Sequence, residues 1–401
     1  MPALRVSSTP LDDPGALIRL LHPAQPLAFL RGGDGLIGIG EALRLEFRGP
    51  GRFAEASSTW RSLVAAAEVH DEVGVPGSGL AAFGSFPFAE DSAQAGVLIV
   101  PAVLIGRRNG IAWLTAVNGA VLPEPTPLTP AGPVTLRPGA LSPAHYRDAV
   151  VEAVDRITAG AAEKVVLARD LLGAASRDAD LRPVLSGLSS GYPDAFTFAV
   201  DRLIGASPET LVQLLGGVIT ARVLAGTAAR GADTEEDRWA ESALAGSAKD
   251  VAEHDFAVDS VLAALRPHCS DVHAGGTFTL RLPNLWHLAS DVTGTLGDGA
   301  GALDLLIGLH PTAAVAGTPT PDAVALIAEL EPFDRGRYAG PVGWLDGSGN
   351  GTWAIALRCA HVASDGTVTA YAGAGIVRGS DPGAELAETE LKFRPIVEAF
   401  S

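Results

Sequence analysis

Lysine is rare in this sequence, and two of its three lysines lie beside pairs of acidic residues. The 401-residue chain contains three lysines against 26 arginines, so arginine supplies positive charge almost everywhere. Lys249 lies in the run SAKDVAEHD, Lys392 ends the run ELAETELK, and Lys164 begins the apolar run KVVLAR. A lysine ammonium is a compact charge that readily takes part in proton transfer. We therefore treat these positions as candidate site residues.

The acidic pairs and their lysines fall at helical spacing. A residue three or four positions further along a helix lies on the same face. Solvent-exposed ion pairs have the same spacing, so the spacing alone is also consistent with a solvated helix surface. The two sets are Asp250 and Glu253 with Lys249, and Glu385 and Glu388 with Lys392.

The composition is that of a globular protein and excludes several kinds of partner. A net charge of −17 argues against nucleic acid and against an anionic membrane. Two cysteines give no disulfide framework, which is typical of a reducing cytosol. The N-terminus lacks the charged and apolar regions of a signal peptide, and no apolar run is long enough to span a membrane. We expect a cytoplasmic protein with a small-molecule ligand.

The remaining elements predict an α+β protein with long antiparallel meanders. Residues 1–122 contain short strands and turns without a chemical motif, and we expect a structural half-sheet there. Residues 123–139 are too proline-dense for regular structure and form a linker or a surface loop. Residues 140–401 contain all the candidate chemistry, and one integrated domain with the N-terminal half is expected.

Six ordered segments resemble the chorismate-utilising enzymes over about residues 140–400. This family includes the large component of anthranilate synthase, aminodeoxychorismate synthase, isochorismate synthase and salicylate synthase. The resemblance implies a large layered fold of two antiparallel β-sheets with helices packed on the outside, chorismate as substrate and Mg²⁺ as cofactor. The segments are EKVVLAR, GASPE, SAKDVAEHD, LHPTAAVAGTP, GWLDGSGNGTWAIALRCA and GAGIV with ELAETELK.

The resemblance also implies a role for each matching residue. Glu253 and Glu388 would be the magnesium ligands, and Asp250 and Glu385 would act through metal-bound water. Mg²⁺ favours such a set, with few carboxylates and several waters. Arg358 would clamp a substrate carboxylate. The other substrate-binding residues implied are Gly226, Thr227, His287, Ala314, Tyr338, Leu357, Gly373, Gly375 and Lys392.

Four positions distinguish the members of this family. Lys164 matches the lysine that activates water in isochorismate and salicylate synthases, and Glu209 matches the general acid that protonates the departing hydroxyl. Ala225 replaces the nucleophilic lysine of aminodeoxychorismate synthases. Ala314 matches the alanine of isochorismate synthases, where the relatives have threonine.

The resemblance therefore implies an isochorismate synthase, an isomerase without a glutaminase subunit. The alternatives are a salicylate synthase, which would also eliminate pyruvate, an ammonia-using synthase with a glutaminase partner, and a non-catalytic chorismate-binding regulatory subunit. Whether the product would serve menaquinone or siderophore biosynthesis stays open at this point, as does the oligomeric state.

Overall fold

The computed structural model describes residues 3–282 and 285–401, without the side chain of Lys249. Within these residues, the chain forms 23 β-strands and eight α-helices. The helices are α1 (Arg52–Ala66), α2 (Pro143–Thr158), α3 (Arg182–Gly191), α4 (Thr234–Gly246), α5 (Ala248–Leu265), α6 (Ala302–Leu309), α7 (Thr320–Leu330) and α8 (Pro382–Ala399). The strands are β1 (Arg5–Leu11), β2 (Leu27–Arg31), β3 (Asp34–Ile39), β4 (Leu43–Phe47), β5 (Glu68–Asp71), β6 (Ala81–Ser85), β7 (Gly96–Val100), β8 (Val103–Arg108), β9 (Ile111–Val117), β10 (Arg137–Pro138), β11 (Lys164–Ala174), β12 (Phe196–Val200), β13 (Leu203–Ser207), β14 (Thr210–Leu215), β15 (Val218–Ala229), β16 (Cys269–Ala274), β17 (Phe278–Arg281), β18 (Leu285–Leu296), β19 (Gly317–Thr318), β20 (Pro341–Asp346), β21 (Gly351–Ile355), β22 (Cys359–Val362) and β23 (Thr367–Val377).

The strands form two large, mostly antiparallel sheets, as the resemblance implied. The larger sheet has thirteen described strands in the order β10-β11-β23-β22-β13-β12-β2-β3-β8-β9-β1-β5, with β19 paired to β11. The smaller sheet has ten described strands in the order β16-β18-β15-β14-β21-β20-β6-β7-β4, with β17 paired to β18. The expected α+β class is confirmed, with one parallel pairing among these strands, between β1 and β5.

Both sheets combine strands from the two sides of the proline-rich segment. In the larger sheet β2 pairs with β12, and in the smaller sheet β6 pairs with β20. One apolar core contains buried side chains from both sides, among them Phe83 and Trp353. Regular structure within residues 123–139 is limited to Arg137 and Pro138 in β10. The N-terminal strands and the strands that carry the chemistry therefore pack together.

Helix α8 begins where its sequence supplies a cap. The Asp381 side chain accepts a hydrogen bond from the backbone N–H of Ala384 at 2.8 Å, and Pro382 takes the first helical position. The helix packs on β23, α2 and α3. Its buried side chains include Glu385 and Phe393, so this helix turns both a polar and an apolar surface inward. No helix in the described parts of the chain is long and apolar enough to cross a membrane.

A buried ion pair forms hydrogen bonds with the backbone of β11. The guanidinium of Arg335 contacts the carboxylate of Glu331 at 2.6 Å, and both side chains are almost fully buried. Glu331 also accepts from the N–H of Ala168 at 2.7 Å. Arg335 donates to the carbonyl oxygens of Val166 at 2.7 Å and Val315 at 2.9 Å. This pair therefore ties the strand of Lys164 to the segment that contains Ala314.

Removal of one member of this pair is expected to destabilise the protein strongly. Arg335→Met leaves the Glu331 carboxylate buried without its partner, at an expected cost of ~3–5 kcal/mol in the free energy of unfolding. The double variant Glu331→Gln, Arg335→Met should lose less than the single variant, because no charge stays buried alone. Arg394→Met, which breaks an exposed pair with Glu398, is the control and should cost under ~1 kcal/mol. Denaturant unfolding measures the stability of all three variants. An Arg335→Met variant as stable as the control would show that the Glu331–Arg335 pair does not stabilise the fold.

Candidate active site

All sixteen residues predicted to form the site line one pocket of about 300 Å³. Strands β11 and β23 of the larger sheet and β15 and β18 of the smaller sheet contribute to its wall, together with α5 and α8. The sixteen are Lys164, Glu209, Gly226, Thr227, Asp250, Glu253, His287, Ala314, Tyr338, Leu357, Arg358, Gly373, Gly375, Glu385, Glu388 and Lys392.

Six further residues complete the wall and were not predicted as site residues. All are small or apolar, and nothing in the sequence distinguishes such residues from ordinary core positions. The sequence marks Ala225 as a position that distinguishes members of the family, but it does not predict that Ala225 lines the pocket. The six are Val166, Pro208, Leu224, Ala225, Val315 and Ala384.

Two lysines in the pocket each neutralise one glutamate. The Nζ atom of Lys164 lies 2.6 Å from Glu253 Oε1, which joins β11 to α5. On α8, Lys392 Nζ lies 2.6 Å from Glu388 Oε1 and also donates to the carbonyl oxygen of Gly373 at 2.9 Å. Both lysine side chains are largely buried, so water screens these pairs less than it would at the surface.

Carboxylates outnumber ammonium groups in this part of the pocket. Four carboxylates line it, those of Asp250, Glu253, Glu385 and Glu388, against the two lysine ammonium groups. Within residues 3–282 and 285–401, no three His, Cys, Asp or Glu side chains are arranged as a metal cluster on their own. The donor set is thus all oxygen and incomplete, which suits a cation that keeps water or ligand oxygens in its coordination sphere.

Two glycines of β23 leave the space that these charged groups occupy. In the antiparallel register, Gly375 lies opposite Val166 and Gly373 lies opposite Ala168. A Cβ atom on Gly375 would lie 3.0 Å from Lys164 Cε and 3.3 Å from Glu253 Oε1. A Cβ atom on Gly373 would lie 2.9 Å from a backbone oxygen of β11. A side chain at position 375 would therefore disturb the Lys164–Glu253 pair.

Glu209 is buried in the pocket wall and is held in its neutral form. Only 5% of the residue is exposed, and burial raises the pKa of its carboxyl to about 8. The positive charges of Arg358, Lys164 and Lys392 act in the opposite direction and are outweighed. Its position just after β13 is fixed by a hydrogen bond from its own N–H to Ser207 Oγ at 3.3 Å. At neutral pH this residue is mostly a carboxylic acid that can donate a proton.

Arg358 is a buried cation that has no carboxylate partner among the described residues. Only 7% of the residue is exposed, and none of the ion pairs formed by the described residues includes it. One guanidinium nitrogen lies 3.3 Å from Nε2 of His287. A buried guanidinium is costly unless an anion pairs with it. The pocket therefore contains a preformed site for an anionic group of a ligand.

His287 is the neutral acceptor that orients this arginine. Its Nδ1 lies 3.1 Å from the carbonyl oxygen of Gly226 and 3.2 Å from Thr227 Oγ1. Because a carbonyl only accepts, Nδ1 carries the proton and Nε2 is left to accept from Arg358. Burial, with the charges of Arg358 and Lys392, lowers the pKa of His287 to about 3.

The remaining predicted residues lie beside these groups. Tyr338 stacks on the ring of Tyr371 with 5.2 Å between ring centroids, and burial raises the pKa of its hydroxyl. Leu357 precedes Arg358 directly, and Ala314 lies in the turn after α6. Apolar walls on one side and charged groups on the other suit a small, partly apolar carboxylate.

Comparison with known proteins identifies the family. The family model described as "Chorismate binding enzyme" matches residues 121–401. Isochorismate synthase DhbC of Bacillus subtilis is 39% identical over 270 residues, which cover 64% of this chain and 68% of that protein. The chain belongs to the chorismate-binding enzymes. The resemblance predicted from the six segments is confirmed.

Solved structures share the whole architecture. The structure named as the 2,3-dihydroxybenzoate-specific isochorismate synthase DhbC of Bacillus anthracis is 30% identical, with a TM-score of 0.80. The match covers 96% of this chain and 98% of that one. MenF, the menaquinone-specific isochorismate synthase of Escherichia coli, has a TM-score of 0.82 at 24% identity, covers 100% of this chain and 95% of its own, and shows the fold. The N-terminal half, which carries no motif, is thus part of the shared fold.

The neutrality of His287 predicts how stability depends on pH. The unfolded chain binds a proton at this histidine below about pH 6.5, whereas the folded chain does so only near pH 3. This contribution to stability is therefore complete above pH 6.5 and is lost as the pH falls toward 3. Compared with His287→Gln, the wild type should lose ~3 kcal/mol more between pH 6.5 and pH 4. Denaturant unfolding across this range measures the difference, and parallel curves would contradict a neutral His287.

Proposed function

We propose that this chain is a Mg²⁺-dependent isochorismate synthase. It converts chorismate and isochorismate reversibly, by addition of water at C2 of the ring and loss of the C4 hydroxyl. The observation that carries the proposal is the presence of Lys164 and the neutral acid Glu209 in one pocket, together with the unpaired cation Arg358. These three groups provide a base, an acid and an anion clamp, which are the functions that the reaction needs.

Arg358 binds a carboxylate of chorismate in this proposal. Its planar fork matches a carboxylate with two parallel hydrogen bonds. His287 accepts from one guanidinium nitrogen at 3.3 Å, which leaves the other N–H groups for the ligand. Gly373 and Gly375 keep the strand next to the pocket free of side chains, so the ring can lie close to β23.

In this proposal Lys164 gives up the ammonium proton of its pair with Glu253 before the water attacks, and its neutral amine then takes the proton from that water. The oxygen of that water forms a bond to C2, and the proton passes to the lysine amine. The carboxylate of Glu253, which lies 2.6 Å from Nζ, stabilises the ammonium that forms. The ring double bonds shift, and the bond between C4 and its hydroxyl oxygen breaks.

Glu209 gives its proton to the departing C4 hydroxyl, which leaves as water. Hydroxide is a poor leaving group, so a positioned acid is needed at this step. A carboxyl with a pKa of about 8 is loaded with a proton at neutral pH, whereas an exposed glutamate is not. Lys164 and Glu209 thus exchange roles in the reverse direction.

Glu253 and Glu388 would hold the magnesium ion, and Asp250 and Glu385 would contact its water ligands. The pocket fits such an ion, because four carboxylates line it against two ammonium groups and all the donors are oxygen atoms. When bound, the ion would supply positive charge for a substrate carboxylate and polarise the conjugated ring.

Two alanines restrict the reaction to this outcome. Ala225 lies in the pocket wall and has no amine, so the covalent route of aminodeoxychorismate synthases has no nucleophile there. Ala314 leaves room near Glu209 for a hydroxyl group on the ring. Because water is the nucleophile, no ammonia-supplying glutaminase subunit is needed.

Glu209→Gln should abolish most of the turnover while chorismate still binds. General acid catalysis contributes ~10²–10⁴-fold, and the amide cannot supply the proton. In the wild type, activity should fall as the pH rises through about 8, where Glu209 loses its proton. Glu398→Gln, which removes an exposed carboxylate of α8, is the control for folding. A Glu209→Gln variant with more than a tenth of the wild-type kcat would exclude the acid role.

Two substitutions at Lys164 separate a base from a mere cation. Lys164→Ala removes both properties, whereas Lys164→Arg keeps the charge but cannot give up its proton near neutral pH. Both variants should lose ~10²-fold or more in kcat and still bind chorismate. Initial rates and equilibrium binding measure the two effects. Activity retained by Lys164→Arg would mean that the position only supplies charge.

Glu388→Gln should weaken metal binding directly. Loss of even an outer partner of a metal ligand costs ~10–100-fold in affinity, so loss of a ligand should cost at least that much. Calorimetric titration with Mg²⁺ in the presence of chorismate measures the affinity without relying on turnover. Glu398→Gln, on the exposed face of the same helix, should leave it unchanged. Equal affinities for the two variants would remove Glu388 from the ligand set.

Product identification tests the proposed function as a whole. The purified protein is incubated with chorismate near neutral pH, with and without Mg²⁺, and the products are separated by chromatography. Isochorismate in equilibrium with chorismate, formed only with the metal, is the expected result. Salicylate with pyruvate as the main products would mean that the reaction continues past isochorismate. Anthranilate formed with added ammonium, or binding without any product, would overturn the proposal.

A further inference from the structure

A separate cavity of about 10 Å³ has Glu209 in its wall. It shares Glu209 and Ala314 with the wall of the active-site pocket, and apolar side chains of α5 and β15 form half of its remaining wall. A cavity that holds one water molecule needs roughly 10–15 Å³ and polar groups to bind the water. The volume therefore suits one water and nothing larger.

Thr312 supplies a polar group that has no other use in the described structure. The residue is 6% exposed, it lines the cavity, and its Oγ1 has no hydrogen-bond partner among the described residues. Buried hydroxyls of folded proteins are nearly always paired with protein or with ordered water. The backbone carbonyl of Thr312 accepts from Val315 and Ala316, so the side chain is held at a fixed place in the turn. Glu209 and Thr312, whose hydroxyl is unpaired among the described residues, therefore both line this one-water cavity.

The cavity also adjoins the protein surface on its other side. Thr210, Ala221 and Arg222 line both this cavity and a surface pocket of about 250 Å³. The charge of Arg222 there is neutralised by Asp291, at 2.6 Å and 2.9 Å from the two carboxylate oxygens. The one-water cavity thus shares lining residues with the active-site pocket and, separately, with the surface pocket.

The proposed reaction needs a way to return protons. In one forward turnover Glu209 loses a proton to the leaving water, and Lys164 gains one from the attacking water. The next turnover requires a proton to enter Glu209 from solvent and a proton to leave Lys164. Only 5% of Glu209 is exposed, so bulk water has little access to this residue.

We propose that Thr312 holds a buried water that returns the proton to Glu209 through the rear of the site. This inference rests on the proposed function, because it assigns a path to a proton that the acid must regain. The water donates to the Glu209 carboxylate and is resupplied from the surface pocket at Arg222 and Asp291. No bond other than O–H changes along the path, and over a full cycle the proton released by Lys164 balances the proton taken up here. Thr312 is a positioning residue in this scheme.

The test compares the first turnover with the steady state. Wild type, Thr312→Val and Thr312→Ser are mixed with excess chorismate and Mg²⁺ in a rapid-quench apparatus, and isochorismate is quantified. Valine has nearly the shape of threonine without the hydroxyl, and serine restores the hydroxyl. Thr115→Val, which removes a buried hydroxyl in the larger sheet away from the pocket, is the matched control.

Thr312→Val should complete its first turnover at close to the wild-type rate, because Glu209 starts with its proton. Its steady-state rate should then fall by about tenfold, part of the ~10²–10⁴-fold that the acid contributes, and a burst of one product per enzyme should appear. Thr312→Ser should restore the steady state, and Thr115→Val should show no burst. A high-resolution crystal structure of the wild type should show one ordered water within hydrogen-bonding distance of Thr312 Oγ1.

Three outcomes would overturn the inference. An unchanged steady state in Thr312→Val would show that the hydroxyl is not needed for proton return. Equal loss of the first turnover and the steady state would assign Thr312 to the chemical step or to the fold. A wild-type crystal structure without an ordered water in this cavity would show that Thr312 does not hold the proposed water. Wild-type protein that forms no isochorismate refutes the proposed function instead, and this is seen before any variant is compared.

Discussion

The antiparallel pairing of β11 with β23 is the constraint on which the site depends. It joins residues about 200 positions apart and places the strand of Lys164 against the two glycines of β23. The chain continues from β23 directly into α8, so the same pairing sets where Glu388 and Lys392 enter the pocket. The buried pair of Glu331 and Arg335 holds β11 from below. A shift of β11 by one residue would turn Lys164 away from Glu253, because successive strand side chains point to opposite faces.

The charges in the pocket are divided between two regions. On one side, lysines and glutamates neutralise each other in pairs at 2.6 Å and leave an excess of carboxylates that suits a divalent cation. On the other side, Glu209 and His287 are both neutral, since burial raises the pKa of the acid to about 8 and lowers that of the histidine to about 3. Among the described residues, Arg358 is then a cation that a ligand carboxylate can neutralise. In the proposed reaction, this division places the reacting carbons of the dianionic ring between Lys164 and Glu209.

Much of the site could be predicted from the sequence, because its residues lie in short ordered segments. The spacing of Glu385, Glu388 and Lys392 fixes a shared helix face, and the apolar strand of Lys164 could be recognised by its run of branched residues. Other features could not be predicted. The contact between Lys164 and Glu253 joins residues 89 positions apart, and only the pairing of distant strands brings them together. The unpaired hydroxyl of Thr312 and the parallel pairing of β1 with β5 likewise depend on tertiary packing, which leaves no local pattern.

The origin of the new hydroxyl oxygen tests the central claim most directly. The proposed chemistry requires a solvent water, deprotonated by Lys164, to attack C2 while the original C4 oxygen departs. When the reaction runs in oxygen-labelled water with Mg²⁺, mass spectrometry of isochorismate should show one solvent oxygen at C2 from the first turnover. Isochorismate that forms without solvent label would mean that the hydroxyl migrates within the substrate, and Lys164 could not then be the base that activates water.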